Sequence, residues 1–371
     1  MLNSLFIIAS FVLTTALIPL IIYLCKQKGW YDPVSNRKMH TGKVPRLGNL
    51  AIVPVFLASW LFYTGFNGGK EELIALLPVA GAGFFIFVTG LLDDFIEMPA
   101  TIKFLFQCAG CVVPPLTGLV WEFLGMLPLG GFAGPLTFLW LLGLVNAYNL
   151  IDGLDGLCGG LSLITLAALS IVFFISGGDG WLPLVLCGGL LGFLIYNKPK
   201  AKIFLGDGGS QFLGFMIAIF PLTAEESIGC NAFPIAIMLT SIPTLDTVAA
   251  IWRRTREKIS FLTPDKQHLH HKLLALGYSN WGILVFLYTI QAGLGAGAVL
   301  FIYKLNDYLG LILTIAFFGA NIIFFSIIHY TYRAVKSYCG APPPPTKKKI
   351  RNKRKNVKKT TKKTPPRQQQ G

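Results

Sequence analysis

Asn146, Asn149, Asp152 and Asp155 recur every three residues within V-N-A-Y-N-L-I-D-G-L-D-G-L-C-G-G, Val145 to Gly160. On a helix this spacing would set the amides and carboxylates near one face, spread by the lag behind the helical repeat. Gly153, Gly156, Gly159 and Gly160 would let the backbone turn or approach a ligand closely. Long apolar runs flank the stretch, so this oxygen-rich row must face water, a cavity or a bound metal and phosphate group.

Further groups of the same chemistry lie along the chain. Asp93 and Asp94 end an apolar run in L-L-D-D-F-I-E, where neighbouring carboxylates would raise each other's proton affinity unless a cation holds them. Lys103 follows as a phosphate contact or a snorkelling side chain. Asp207 sits among glycines in F-L-G-D-G-G-S, immediately before another apolar run. A helix start there suits an anion, and its carboxylate suits a metal carried by that anion; a simple glycine turn capped by Ser210 is the plainer reading. Asp246 lies inside an apolar segment, as a functional group or as polar glue between helices. His268, His270 and His271 form H-x-H-H, which matches no standard zinc spacing and reads better as hydrogen-bonding and phosphate contacts. Arg37, Lys38, His40, Lys43 and Arg46 make the first polar loop either a clamp for a phosphorylated ligand or an inside-positive loop at lipid headgroups.

Oxygen ligands of this kind select a hard cation, Mg²⁺ or Mn²⁺, and the basic groups around them suit phosphates. The chemistry that fits is transfer of a phosphorylated group between a nucleotide donor and a lipid phosphate.

The elements that must position these groups are membrane helices. Of the 371 residues 53% are hydrophobic and 13% charged, which excludes a soluble globular chain. Eleven apolar stretches have a length compatible with crossing the bilayer: 3–24, 47–66, 73–92, 101–120, 134–150, 157–176, 181–196, 210–224, 232–252, 282–303 and 308–332. The expectation is an all-α polytopic membrane protein. With eleven spans, 30 of the 32 Lys and Arg fall on one side, which the positive-inside bias makes cytoplasmic. The N-terminus is then outside, and the C-terminus and the candidate site are cytoplasmic.

The seven cysteines are scattered mostly through apolar runs, and Cys108 and Cys111 read as small packing residues. From Ala341 the chain carries P-P-P-P and twelve basic residues with no acid, so 341–371 reads as a disordered basic tail on a catalytic domain spanning 1–340. Anionic lipid is its expected partner and nucleic acid is not, because no aromatic side chains are interleaved for stacking. The tail holds none of the motifs, so deleting 341–371 is expected to leave turnover in detergent nearly unchanged. A steady-state assay of the truncated chain checks this, and a large loss would make the tail part of the catalytic unit.

D-D-F-I-E (93–97), N-A-Y-N-L-I-D-G-L-D-G-L (146–157), F-L-G-D-G-G-S (204–210) and P-D-K-Q-H-L-H-H (264–271) together resemble the polyprenyl-phosphate N-acetylhexosamine-1-phosphate transferases of bacterial envelope synthesis, in that family's order. The resemblance implies a Mg²⁺-dependent, multi-pass enzyme of the bacterial plasma membrane that joins a UDP-sugar to undecaprenyl phosphate and releases UMP. It implies Asp207 and Asn149 as metal ligands and Asp93 and Asp94 as the carboxylates near the acceptor phosphate. Lys103, His40, Asn146, Asp152, Asp155, His268, His270 and His271 are implied as substrate contacts. The H-x-H-H spacing is similar to the N-acetylglucosamine branch, whereas the muramoyl-pentapeptide branch carries three contiguous histidines. Asn49 stands where the family often has a second glycine after Gly48. The resemblance leaves open a homodimer, and direct attack by the lipid phosphate as against a covalent enzyme intermediate. A cation-coupled transporter using Asp246 and the amide row is the alternative of another class; it predicts internal repeats, and none is visible.

Overall fold

Backbone amides have no water to bond in hydrocarbon, so apolar runs of this length close their hydrogen bonds within helices. In the computed structural model, which describes residues 2–31, 44–258, 267–304 and 307–338, every one of the eleven apolar stretches is helical. His40 and the 341–371 segment lie outside the described residues. The helices are α1 Leu2–Lys28, α2 Asn49–Asn67, α3 Gly69–Ile96, α4 Ala100–Cys111, α5 Val113–Leu116, α6 Ala133–Ile151, α7 Leu157–Ile175 and α8 Trp181–Asn197. There follow α9 Asp207–Thr223, α10 Glu225–Ile228, α11 Ala232–Leu239, α12 Ser241–Glu257, α13 Leu269–Ala275, α14 Asn280–Lys304 and α15 Asp307–Tyr338.

Length and apolarity qualify fewer of them as spans than the sequence count of eleven. Among the described residues seven helices are long and apolar enough to cross a membrane, or eight if a bent pair counts as one; 100–116 and 181–197 are shorter apolar helices. The bent pair joins residues 229–239 to α12 at an angle of 67°. Such a break releases carbonyls that hydrocarbon cannot satisfy. Leu239 O is taken up by Gln291 Nε2 of α14 at 2.7 Å and by Thr165 Oγ1 of α7 at 3.3 Å.

α9 is the central element: it packs against α3 and α6, and Ser210 to Leu222 is buried throughout. Close approach of its first turn to α3 depends on two glycines. A Cβ on Gly90 would come within 2.6 Å of the Gly208 Cα, so the two backbones touch there. Gly90→Ala is expected to cost about 1–3 kcal/mol by overpacking, read as a lower Tm in detergent. Gly81→Ala on the same helix, where a Cβ meets nothing within 4 Å, should leave Tm unchanged. Equal Tm values for the two variants would remove this contact from the fold's requirements.

Candidate active site

The site is built on the end of α3, the start of α4, the end of α6 and the start of α9. The loop before α9 is held by the segment before α2. Phe204 N donates to Pro45 O at 2.8 Å, Gly48 N to Phe204 O at 2.9 Å and Asn49 N to Leu205 O at 3.1 Å. Gly206 then turns with φ +81°, and a Cβ there would meet Asp94 Oδ2 at 2.6 Å and Asn49 Nδ2 at 2.8 Å. This pairing carries Arg46 and Asn49 to the first turn of α9.

Asp207 is the centre of the ion-pair network. Its Oδ2 accepts from Lys103 Nζ at 2.5 Å, and Lys103 Nζ also lies 2.8 Å from Asp93 Oδ2. Its Oδ1 accepts from Asn149 Nδ2 at 3.2 Å and from an Arg46 guanidinium nitrogen at 3.4 Å. Burial alone would raise the Asp207 carboxyl, but Lys103, a hydrogen bond with Asp93, and Arg46 outweigh it and hold the group well below the usual carboxylate range. Asp207 is thus a stable anion at neutral pH.

Asp93 and Asp94 do not act as one repelling pair. Consecutive residues on a helix diverge by about 100°, and these two take different partners. Asp93 faces Lys103 and accepts from Met98 N at 2.7 Å. Asp94 caps α9, accepting from Asp207 N at 2.9 Å and Gly208 N at 3.3 Å, with Asn49 Nδ2 at 3.1 Å and Arg46 Nε at 3.7 Å. The group at the start of α9 is therefore the chain's own Asp94 carboxyl. Ser210 is not the cap: it accepts from Asn149 Nδ2 at 3.0 Å.

The row read from Asn146 to Asp155 does not continue as one helix. α6 ends at Ile151, Asp152 leaves with φ −75° and ψ 46°, and Gly156 turns the chain into α7 with φ +79°. Only Asn149 reaches Asp207. Asn146 donates to Leu142 O of its own helix at 2.8 Å. Asp155 accepts from Lys200 N and Ala201 N, both at 3.1 Å, and so pins the loop between α8 and α9. Asp152 stays beside the network. Burial, reinforced by Asp207, raises its carboxyl to about 8, with Arg46 opposing, so it is largely protonated at pH 7.

The histidines stand at the start of α13, against the α6–α7 turn. The His270 ring lies on Gly153, where a Cβ would meet its Cε1 at 2.6 Å. It is 1% exposed, neither ring nitrogen has a hydrogen-bond partner, and burial together with His271 lowers its pKa to about 3. His270 is therefore neutral packing in this arrangement, and His271 lies beside it with ring centroids 4.2 Å apart. His268 Nδ1 lies 2.9 Å from Asp246 Oδ2.

Arg46, a member of the basic clamp read in the first polar loop, joins the network, whereas Asn49 and the Asp246–His268 contact are the parts that sequence reasoning did not assign to the site. The one available signal was Asn49 itself, the departure from a glycine, which here donates to Asp94.

Seven or eight membrane-length helices among the described residues define a multi-pass membrane protein, in which three carboxylates, an amide, a lysine and an arginine converge around the start of α9. The comparisons with known proteins agree. The profile of glycosyl transferase family 4 matches residues 76–225, which contain Asp93, Lys103, Asn149 and Asp207. The chain is 38% identical over 293 residues to the "Probable undecaprenyl-phosphate N-acetylglucosaminyl 1-phosphate transferase" of Bacillus subtilis, covering 76% of this chain and 80% of the relative. It is 35% identical over 307 residues to the decaprenyl-phosphate N-acetylglucosaminephosphotransferase of Mycolicibacterium smegmatis, covering 72% and 74%. The undecaprenyl-phosphate alpha-N-acetylglucosaminyl 1-phosphate transferase of Escherichia coli K12 is 28% identical over 322 residues, covering 80% and 83%. The chain belongs to glycosyl transferase family 4.

Proposed function

We propose that this protein transfers N-acetylglucosamine 1-phosphate from UDP-N-acetylglucosamine to undecaprenyl phosphate, releasing UMP and leaving a lipid-linked sugar diphosphate for envelope polysaccharide synthesis. The convergence of Asp93, Lys103, Asn149 and Asp207 carries this reading, in a chain whose relatives bear the names given above. Arg46 and Lys103 supply positive charge for phosphates. Asp93, hydrogen-bonded less extensively than the α9-capping Asp94, is the carboxylate better suited to orient the acceptor phosphate or take its proton. In the overall reaction a bond forms between an acceptor phosphate oxygen and the donor's β-phosphorus, the α–β phosphoanhydride bond breaks, and UMP leaves. Direct attack and a covalent enzyme intermediate both satisfy that balance.

A divalent cation, Mg²⁺ with Mn²⁺ as substitute, fits Asp207 and Asn149. Both are hard oxygen donors, since the Asn149 amide can present its oxygen by turning over. Among the described residues no three His, Cys, Asp or Glu side chains form a metal cage. A cation bound here would therefore draw its other ligands from diphosphate oxygens and water, as Mg²⁺ commonly does. When bound it would neutralise charge on the diphosphate. The same reading places the N-terminus outside and the site at the cytoplasmic face of a bacterial plasma membrane, with eleven crossings that include the shorter helices.

The test is transfer by the purified protein in micelles of undecaprenyl phosphate, with radiolabelled UDP-N-acetylglucosamine or UDP-N-acetylmuramoyl-pentapeptide as donor. Label from the first in the lipid phase is expected. Label from the second alone would keep the family and overturn the sugar; none from either would return the transporter alternative.

A further inference from the structure

Asp246 is a carboxylate in α12, the second helix of the bent pair, and it is 3% exposed. A charge so placed is costly unless its hydrogen bonds are met. Both oxygens are met by the histidine segment: Oδ2 by His268 Nδ1 at 2.9 Å and Oδ1 by Leu269 N at 2.9 Å. Leu269 is the first residue of α13, and His268, in extended conformation with φ −67° and ψ 160°, makes no side-chain cap of its own. A residue 22 positions earlier thus caps the helix and fixes its first imidazole.

We propose that Asp246 is a positioning residue for donor binding: through its two bonds it anchors the start of α13 and sets the His268 side chain to meet the diphosphate of the nucleotide sugar. This rests on the reading that the histidines contact the donor. An ionised carboxylate only accepts, so the His268 Nδ1 carries hydrogen and the bond fixes the orientation of the ring. A structural cap alone would account for the bond to Leu269 N and leaves the His268 contact without a purpose.

Asp246→Asn separates the two roles. The amide oxygen can still cap α13, while its nitrogen meets His268 Nδ1 as a donor and removes the charge. The expected result is a donor KM raised about tenfold, the difference between a charge-assisted and a neutral hydrogen bond, with the undecaprenyl-phosphate KM and the detergent Tm unchanged. His268→Ala should raise the donor KM at least as much, and the double variant should be no worse than His268→Ala, because the residues act as one unit. A donor KM within twofold of wild type in Asp246→Asn, with His268→Ala impaired, overturns the proposal. So does multiplicative loss in the double variant. An unaffected donor KM in His268→Ala overturns both this inference and the donor reading beneath it. Should Asp246→Asn fail to fold, Asp246→Glu replaces it: the longer side chain cannot keep both bonds, so a raised donor KM supports the role and a wild-type KM overturns it.

Discussion

Asp207→Asn is expected to lower kcat/KM by about 10²–10³-fold, the loss typical of removing one preorganised electrostatic group from a reaction centre. The substitution keeps shape and burial and removes the charge. Asp207 is the common partner of Lys103, Asn149 and Arg46, so an amide there leaves two cations without their shared anion and weakens divalent-cation binding. The variant should still insert and fold, because α9 is capped by Asp94 accepting from backbone amides, which the change leaves in place. Titration of activity against Mg²⁺ in the purified variant, with Tm as the folding control, makes the measurement. Activity within threefold of wild type at limiting Mg²⁺ would remove Asp207 from the cation's site.

Lys103→Gln carries the second large effect. Lys103 Nζ bridges Asp93 and Asp207 at 2.8 and 2.5 Å, and all three side chains are largely shielded from water. Without the ammonium the buried Asp207 anion loses its nearest cation, and breaking such a pair costs of order 3 kcal/mol. Turnover should fall by at least about 100-fold through loss of a positive charge placed for phosphate, and Tm should fall with it. Lys103→Arg should recover Tm more than turnover, because the guanidinium restores the charge and not the geometry. Comparing kcat and Tm across the two variants checks this; a Lys103→Gln protein with normal Tm and kcat would show that the bridge is incidental.

The apolar pattern made the helical segments legible, since each of the eleven stretches needs its backbone bonds closed internally. It could not tell a crossing from a shorter or broken helix, because hydropathy does not register the 67° bend near Thr240, where the freed Leu239 carbonyl is met by Gln291 from a distant helix. Asp93, Lys103, Asn149 and Asp207 were each singled out by type and setting, and the fold brings them together. The three-residue row was over-read: glycines at 153 and 156 end the helix, so Asp155 turns to the 200–201 backbone and away from Asn149. Arg46 and Asn49 reach Asp94 through backbone pairing with residues 204–205, a long-range register that no local pattern encodes. The H-x-H-H motif and its family resemblance make His270 a substrate contact, whereas its burial against Gly153 follows from tertiary packing that the motif does not encode.

The most direct measurement uses UDP-N-acetylglucosamine carrying radioactive phosphorus only at the β-phosphate, purified protein and undecaprenyl phosphate. The account predicts that this phosphorus moves into the lipid phase together with the sugar, in equal amount to the UMP released. Phosphorus remaining in the aqueous phase as UDP while the sugar alone enters the lipid would contradict it, as would the absence of any transfer.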